Sequence, residues 1–297
     1  MQDPAIRLDE SLLKAVHELS LIARHLVNGF LQGQHRSAMR GISQEFIAYR
    51  PYLPGDPLKD VDWKLWGRSD HLFVRQFRHE SNFRGYIFVD TSKSMDYGTG
   101  ATNKFGYARI LAACLASLMA AQLDAPGLTL LGSTKGPLWF PPSTRQDHLD
   151  TLFHALGTAR ADGSAADLGD LAALGEECRR RSLGIIISDG LMESNHLRDL
   201  IEQLRLREMD VLFFHLLAPE EINPPFTGEI VLEDSEAGQE IVIDGASLKT
   251  DYAPRLAAFL AETERICHGL EAHYCRLVTD EPLDEALHRY LDQRELL

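Results

Sequence analysis

The chain has 297 residues, of which 44% are hydrophobic and 25% are charged, and its formal net charge at pH 7 is −14. This length and composition exclude a disordered, collagen-like or coiled-coil protein and suit one large domain or two modest ones. The apolar runs are far shorter than the roughly 20 residues of a membrane helix, and the first ten residues do not resemble a signal peptide. Four scattered cysteines without a C-x-x-C pair are typical of reduced, buried thiols. We therefore expect a cytoplasmic protein without a membrane segment.

The negative charge is concentrated after residue 85. Residues 1–85 hold 12 Lys and Arg against 10 Asp and Glu, whereas the remainder holds 18 against 34. An acidic body repels phosphate backbones, which argues against nucleic acid as the main partner. It leaves room for a cation or for a partner with a basic face, although acidity also serves solubility alone.

The first part of the chain has little regular periodicity. Apolar residues at helical spacing predict a helix over Leu8–Leu31. Turn-forming residues make 41–70 irregular, apart from a short helix that starts at Pro57. That helix carries Val61, Trp63 and Trp66.

Alternating residues then predict a hairpin of two strands, Leu72–Arg78 and Phe83–Val89, joined across Ser81-Asn82. We expect residues 1–84 to form an N-terminal segment packed on a main domain of residues 85–297.

In the main domain, buried strands alternate with amphipathic helices. The predicted strands after Val89 are Leu128–Gly132, Gly136–Phe140, Leu183–Ser188, Asp210–Leu217 and His273–Val278. The predicted helices are Asn103–Gln122, Thr144–Leu156, Leu168–Arg180, Asn195–Arg207, Ala253–Gly269 and Leu283–Glu295. A further hairpin joins Glu229–Asp234 to Gln239–Ile243. The alternation predicts an α/β fold with a doubly wound, mostly parallel sheet, an irregular N-terminal segment and an added β-hairpin.

Polar residues follow two buried strands at their carboxyl ends, where open parallel sheets bind ligands. Asp90, Ser92 and Ser94 form a D-x-S-x-S string after one strand, and Ser188-Asp189-Gly190 ends another. Because these three residues occupy every second position, a tight loop can bring their side chains round one point. One carboxylate, two hydroxyls and water are oxygen ligands that suit Mg²⁺ or Mn²⁺. Short Asp/Ser strings also form ordinary turns, so a purely structural loop is an alternative.

The two strings, each preceded by an apolar strand, resemble a von Willebrand factor A domain with its metal-ion-dependent adhesion site. The resemblance implies that Ser92 and Ser94 give hydroxyl ligands. It implies that Asp90 and Asp189 hold the ion directly or through water.

The resemblance also implies a hydroxyl ligand from a second loop, where this chain departs from the family's Gly-Thr turn. Residues 162–169 precede a predicted helix at the corresponding place. Ser164 is the candidate ligand there, and Asp167 or Thr158 are the alternatives.

The segment before the site carries a second resemblance. Its strings include Glu45-Phe46, Tyr49-Arg50-Pro51, Pro54-Gly55-Asp56, Asp60-Val61-Asp62-Trp63 and Gly67-Arg68. They resemble the bacterial Domain of Unknown Function 58 (DUF58) family, whose signature reads roughly E-x-x-Y-x-P-G-D, then I-D-W, then A-R, before a von Willebrand A-like half. Many members have two N-terminal membrane helices, and the resemblance here is to the short type without them.

The charged residues of this segment have two interpretations. In one, they form internal ion pairs that hold an irregular segment together, with Trp63 and Trp66 as core anchors. In the other, they form a docking surface for a partner, and Arg50, Asp62 and Arg68 are the candidate partner-binding residues.

The motifs favour binding over catalysis. With few carboxylates close in, an ion keeps much of its charge and an open position, which a partner's carboxylate can complete. The sequence has no H-E-x-x-H and no phosphate-binding G-x-x-x-x-G-K-[ST] string, and Ser92 stands where an Asp-nucleophile phosphatase needs its acid. The alternative is a metal-assisted hydrolase using Asp90 and Asp189, for which Asp96 and Asp167 are candidate bases.

Members of the DUF58 family tend to be encoded beside MoxR-type AAA+ ATPases. The resemblance therefore implies an adaptor or co-chaperone that works with such an ATPase on a metalloenzyme or envelope target. We expect a chaperone-like protein that binds a partner through Mg²⁺ or Mn²⁺ and has no catalytic residue.

Overall fold

The computed structural model describes most of the chain after residue 83. The described residues are 45–52, 61, 65–67, 72–78, 83–132, 137–145, 147–163, 178–180, 182–191, 194–225, 228–233, 240–283 and 285, with Leu19, Leu21 and Ala23. The chain forms two compact units, His35–Asn82 and a larger one of Met1–Gln34 with Phe83–Leu297. The expected N-terminal segment, residues 1–84, is thus divided between the two units.

The smaller unit contains an antiparallel pair of strands, β1 (Glu45–Pro51) and β2 (Phe73–Arg78). The predicted hairpin of residues 72–89 is therefore wrong, because β2 pairs with β1. Strand β1 was not predicted, and a register shift between Phe46 and Ala48 shows why. A bulge of this kind breaks the alternation by which a strand is recognised in sequence.

In the larger unit, eight strands and five α-helices have bounds that the structure describes, and Leu19, Leu21 and Ala23 are also helical. Its strands are β3 (Arg84–Asp90), β4 (Ala125–Leu131), β5 (Leu138–Phe140), β6 (Leu183–Ser188), β7 (Asp210–Leu217), β8 (Glu229–Glu233), β9 (Glu240–Asp244) and β10 (His273–Val278). Its helices are α1 (Lys104–Ala121), α2 (His148–Thr158), α3 (Ser194–Leu206), α4 (Pro219–Ile222) and α5 (Gly245–Gly269).

Six of these strands form the main sheet, in the order β10-β7-β6-β3-β4-β5. All neighbours are parallel except β4 and β5. From β3 the chain adds β4 and β5 on one side, then crosses over to add β6, β7 and β10 on the other. The predicted α/β fold with a mostly parallel sheet is confirmed, and its order reverses between β3 and β6.

Helices cover both faces of this sheet. In β3, Ile87 and Val89 pack in one buried cluster with α1 and α2, whereas Tyr86 and Phe88 pack in a second cluster with α3. Both clusters are apolar and buried, which explains the uninterrupted Tyr86–Val89 run: a strand covered on both faces has no polar side.

The second hairpin and helix α5 are among the predicted elements that differ in detail from the structure. The hairpin of β8 and β9 is present, but it forms a two-stranded sheet of its own. Helix α5 begins at Gly245, eight residues before the predicted start, and contains Pro254. Proline favours the first turn of a helix, which made the prediction start there. The predicted helix over Leu168–Arg180 and most of the predicted C-terminal helix lie outside the described residues.

Helix α1 is by length and composition apolar enough to cross a membrane. Most of its residues are buried within the protein, as expected of a core helix. All four cysteines are buried, which confirms their prediction as buried thiols.

Candidate metal site

The candidate site lies where the strand order reverses, at the carboxyl ends of β3 and β6. Asp90 is the last residue of β3 and Ser188 is the last residue of β6. Chain connections leave in opposite directions from these two strands, which opens a crevice between their loops. The fold therefore brings the D-x-S-x-S loop and the Ser-Asp-Gly loop to one place.

Both carboxylate oxygens of Asp90 accept hydrogen bonds from neutral donors. The Ser92 amide donates to Oδ1 over 2.8 Å, and the Ser188 hydroxyl donates to Oδ2 over 2.7 Å. The Asp90 side chain is buried, with 1% of the residue exposed. The bond from Ser188 ties the ends of the two strands together.

The two serine hydroxyls of the first loop point toward each other. Ser92 Oγ and Ser94 Oγ are 3.0 Å apart, while the Thr91 hydroxyl donates to the Leu131 carbonyl at the end of β4. The two serine hydroxyls therefore lie together, whereas the Thr91 hydroxyl points to the neighbouring strand β4. The loop is also fixed from the second loop, because Gly163 pairs with Ser92 and its carbonyl accepts from the Lys93 amide over 3.0 Å.

The Asp189 carboxylate has a cationic partner. Lys104 Nζ, at the start of α1, donates to Asp189 Oδ2 over 2.8 Å and to Glu221 Oε1 over 2.8 Å. The other oxygen of Asp189 accepts from the Leu191 amide over 3.1 Å. Burial lowers the pKa of Lys104, but the charges of Asp189 and Glu221 outweigh burial, so this pKa is raised and the ammonium persists.

A buried histidine supports the Asp189 loop from behind. His215 Nε2 lies 2.8 Å from the Asp189 carbonyl, and His215 Nδ1 lies 2.9 Å from the Tyr274 hydroxyl. A carbonyl only accepts, so Nε2 carries the proton and Tyr274 donates to Nδ1. Burial lowers the pKa of His215 to about 4, which keeps the ring neutral. Gly190 adopts φ = 69° beside this ring, a conformation that favours glycine.

The site holds more negative than positive charge. Burial, together with the charge of Asp189, raises the pKa of Asp90 to about 6. Lys104 is bound to Asp189 and Glu221, so one ammonium faces three carboxylates. A cation near Asp90 would relieve this excess.

The donors in the crevice fit a small, hard cation. Asp90, Ser92, Ser94 and Asp189 offer carboxylate and hydroxyl oxygens, the ligands that Mg²⁺ and Mn²⁺ prefer. Within the described part of the chain, no three His, Cys, Asp or Glu side chains could hold a metal ion together. The serine hydroxyls would therefore be essential to any site here.

Other predicted site residues are placed less fully. Ser164 and Asp167 lie outside the described residues, as do Asp62, Trp63 and Arg68. Arg50 lies on β1, and its side chain is not described.

Two alternatives from the sequence can be placed. The Thr158 hydroxyl donates to the His154 carbonyl of its own helix over 2.9 Å. Asp96 is exposed and accepts a hydrogen bond from Asn103 over 3.0 Å. Trp66 is 45% exposed, so it is not the core anchor that one interpretation expected.

We did not predict Lys104, Glu221 or the role of His215 from the sequence. Lys104 had a signal, because a cation at the first residue of a helix opposes the helix dipole and needs another reason to be there. His215 stands inside the apolar strand Val211–Leu217, which indicates a buried partner. Glu221 had no comparable signal.

The support from His215 can be tested by unfolding. His215→Ala leaves the Asp189 carbonyl and the Tyr274 hydroxyl without their partner, so we expect a loss of roughly 3–5 kcal/mol in the free energy of unfolding. Tyr274→Phe removes one hydrogen bond and should cost about 1–2 kcal/mol. Urea denaturation measures both, with the exposed His154→Ala as the matched control. A loss no larger than that of His154→Ala would contradict this role.

The raised pKa of Asp90 predicts a pH dependence of stability. Its folded pKa, about 6, lies above the ordinary value of 3.8, so the folded protein binds the proton more tightly and ionisation costs stability. In EDTA, the wild type should lose stability relative to Asp90→Asn as pH rises from about 4 to 6. Above pH 6, Asp90→Asn should be more stable by roughly 1–3 kcal/mol.

Urea titrations between pH 4 and 8 measure this difference. The control is Asp96→Asn, which changes an exposed acid just beyond the loop and should follow the wild type. Parallel curves for the wild type and Asp90→Asn would show that the environment of Asp90 does not disfavour its charge.

Comparisons with known proteins agree with this architecture. A family model described as "Protein of unknown function DUF58" matches residues 48–259. Uncharacterized proteins of Mycobacterium tuberculosis and Mycobacterium bovis are 32% identical over 278 residues, which cover 92% of this chain and 86% of each relative. Both findings span most of the chain.

Solved structures with the same type of fold are more distant. BatB from Bacteroides thetaiotaomicron has a TM-score of 0.46 and 13% identity, over 72% of this chain and all of that protein. The SpRpn10 VWA domain has a TM-score of 0.38 and 12% identity, over 70% of this chain and 94% of that domain. The matching family model and the mycobacterial relatives show that this chain belongs to the DUF58 family.

Proposed function

We propose that the protein is a metal-dependent protein-binding adaptor, or co-chaperone, whose site is the crevice between the loops after β3 and β6. One observation carries the proposal: the fold gathers Asp90, Ser92, Ser94 and Asp189 at a point with excess negative charge. In this proposal Asp90 and the two serines hold Mg²⁺ or Mn²⁺, with Asp189 close by. Ser164 remains the predicted ligand from the second loop.

The donor set supports binding of a partner's carboxylate. Two of the four donors are neutral hydroxyls, and the charge of Asp189 is already engaged by Lys104. The bound cation would supply an electrophilic centre with an open position. Asp90, Ser92 and Ser94 hold that position at the rim of the sheet, where an acidic side chain of another protein fits.

Exposed apolar side chains beside the loops support a protein partner. Tyr97 follows the first loop and is 38% exposed, and Leu191 follows the Ser-Asp-Gly loop and is 54% exposed. Aromatic side chains are enriched at protein-binding surfaces, and exposed apolar groups beside polar ones mark such surfaces. We take these two residues as neighbours of the partner's carboxylate.

The partner proposed here is a MoxR-type AAA+ ATPase, as the family resemblance implies. The four buried cysteine thiols are consistent with a reducing, cytoplasmic compartment, where such an ATPase works. The alternative of a metal-assisted hydrolase has less support. Of its two candidate bases, Asp96 is hydrogen-bonded to Asn103 on the exposed surface, and Asp167 lies outside the described residues.

Metal binding is tested first, by calorimetric titration of the purified protein with Mg²⁺ and Mn²⁺. We expect the wild type to bind and Asp90→Asn to lose at least tenfold in affinity, because a carboxylate that faces the ion has become neutral. Asp96→Asn is the matched control and should bind within about threefold of the wild type. Equal binding by all three proteins would place the ion elsewhere.

Partner capture is the second test. The immobilised protein should retain a purified MoxR-type ATPase from the same organism in Mg²⁺ and release it in EDTA, because the partner's carboxylate binds through the ion. Asp90→Asn should retain at most about a tenth of the wild-type amount, and Asp96→Asn should retain all of it. Capture that is unchanged in EDTA would overturn the metal-dependent mechanism. Turnover of phosphoesters or peptides by the protein alone would favour the hydrolase.

A further inference from the structure

Lys104 is a buried cation that pairs with Asp189 of the candidate site. The Lys104 side chain is fully buried, and its ammonium lies 2.8 Å from Asp189 Oδ2 and 2.8 Å from Glu221 Oε1. Glu221 is itself held in place, because its Oε2 accepts from the Ala218 amide over 2.7 Å. The Tyr97 ring covers the ammonium at 5.5 Å. Lys104 is thus fixed from three sides.

The position of Lys104 in α1 is electrostatically unfavourable. It is the first residue of an 18-residue helix, where the helix dipole and the free backbone N–H groups favour anions. Burial adds a desolvation penalty to the free energy of the ammonium, which only nearby carboxylates offset. Asp189 and Glu221 meet this requirement, so the ammonium and these two acids form one unit.

The unit divides the two aspartates of the site into different roles. Asp189 uses one oxygen for Lys104 and the other for the Leu191 amide. Asp90 has only neutral hydrogen-bond donors within the described residues. A dication attracted to the crevice therefore meets an unbalanced charge at Asp90 and a balanced one at Asp189.

We propose that Lys104 is a built-in counter-cation that holds the charge of Asp189 and so keeps this carboxylate from binding the metal ion directly. The inference rests on the proposed function, since it assigns a role toward the same ion. It predicts a weakly charged site whose affinity for the ion alone is low. A carboxylate from a partner would then add the missing charge.

Three variants test this role by Mg²⁺ calorimetry. Lys104→Met frees the Asp189 carboxylate, so Mg²⁺ affinity should rise at least tenfold. Asp189→Asn leaves Lys104 paired with Glu221 alone, so the crevice loses one negative charge and affinity should fall. Lys104→Met/Asp189→Asn removes both charges and should bind within about threefold of the wild type. The matched control is Lys93→Met, which removes an exposed lysine of the same loop and should change affinity by less than threefold.

The double variant decides between the roles of Asp189. If Asp189 were a direct ligand, Lys104→Met/Asp189→Asn would bind as poorly as Asp189→Asn, and that result would overturn the proposal. The comparison does not need Lys104→Met to fold, because the double variant leaves only the partly exposed Glu221 carboxylate without the ammonium. Adding Asp90→Asn to any binding variant should remove the binding, which shows that the same site is measured.

The outcomes separate this inference from the proposed function. If the wild type and Lys104→Met bind Mg²⁺ with the same affinity, the role of Lys104 is overturned. The metal-dependent adaptor would then still stand. Binding that appears only in Lys104→Met supports the counter-cation and overturns metal dependence of the native protein. Absence of binding in the wild type and in folded Lys104→Met overturns both.

Discussion

The reversal of strand order between β3 and β6 is the constraint on which the site depends. Because the chain builds the sheet outward from β3 in one direction and then in the other, neighbouring strands at the centre send their connections apart. The starts of the two loops therefore meet at the hydrogen bond from Ser188 to Asp90. Both strands are buried on both faces, so packing in the core holds their carboxyl ends, at Asp90 and Ser188, in register. The rigid part of the protein thus positions the polar part.

The buried charged and polar groups of the site are contacted by residues from distant parts of the sequence. Lys104 comes from α1 and Glu221 from α4, while His215 reaches the Asp189 loop from β7. His215 and Asp90 have opposite linkage to protons. The pKa of the histidine is lowered to about 4 by burial, and that of the aspartate is raised to about 6. Falling pH therefore destabilises the fold through His215 and stabilises it through Asp90.

The sequence predicted the fold wherever the pattern was local. Strands β6, β7 and β10 have the predicted bounds. In β6 and β7, a largely apolar run marks a strand that is buried on both faces. The alternation of Asp90, Ser92 and Ser94 also predicted their common loop. What failed was pairing: β2 and β3 are adjacent in sequence, yet β2 pairs with β1 and β3 joins the central sheet. Pairing depends on contacts across the whole chain, and so does the Lys104–Asp189 ion pair, whose residues are 85 positions apart.

The buried cysteines give the two faces of the sheet separate chemical reporters. Cys114 and Cys275 lie in the cluster beneath α1 and α2, whereas Cys178 and Cys267 lie in the cluster beneath α3. Burial raises the pKa of Cys114 and of Cys267 to about 12, so neither is a reactive thiolate in the closed protein. A thiol reagent therefore modifies each of them only when its own layer opens. The order in which the four sites are labelled records which helical layer separates from the sheet first.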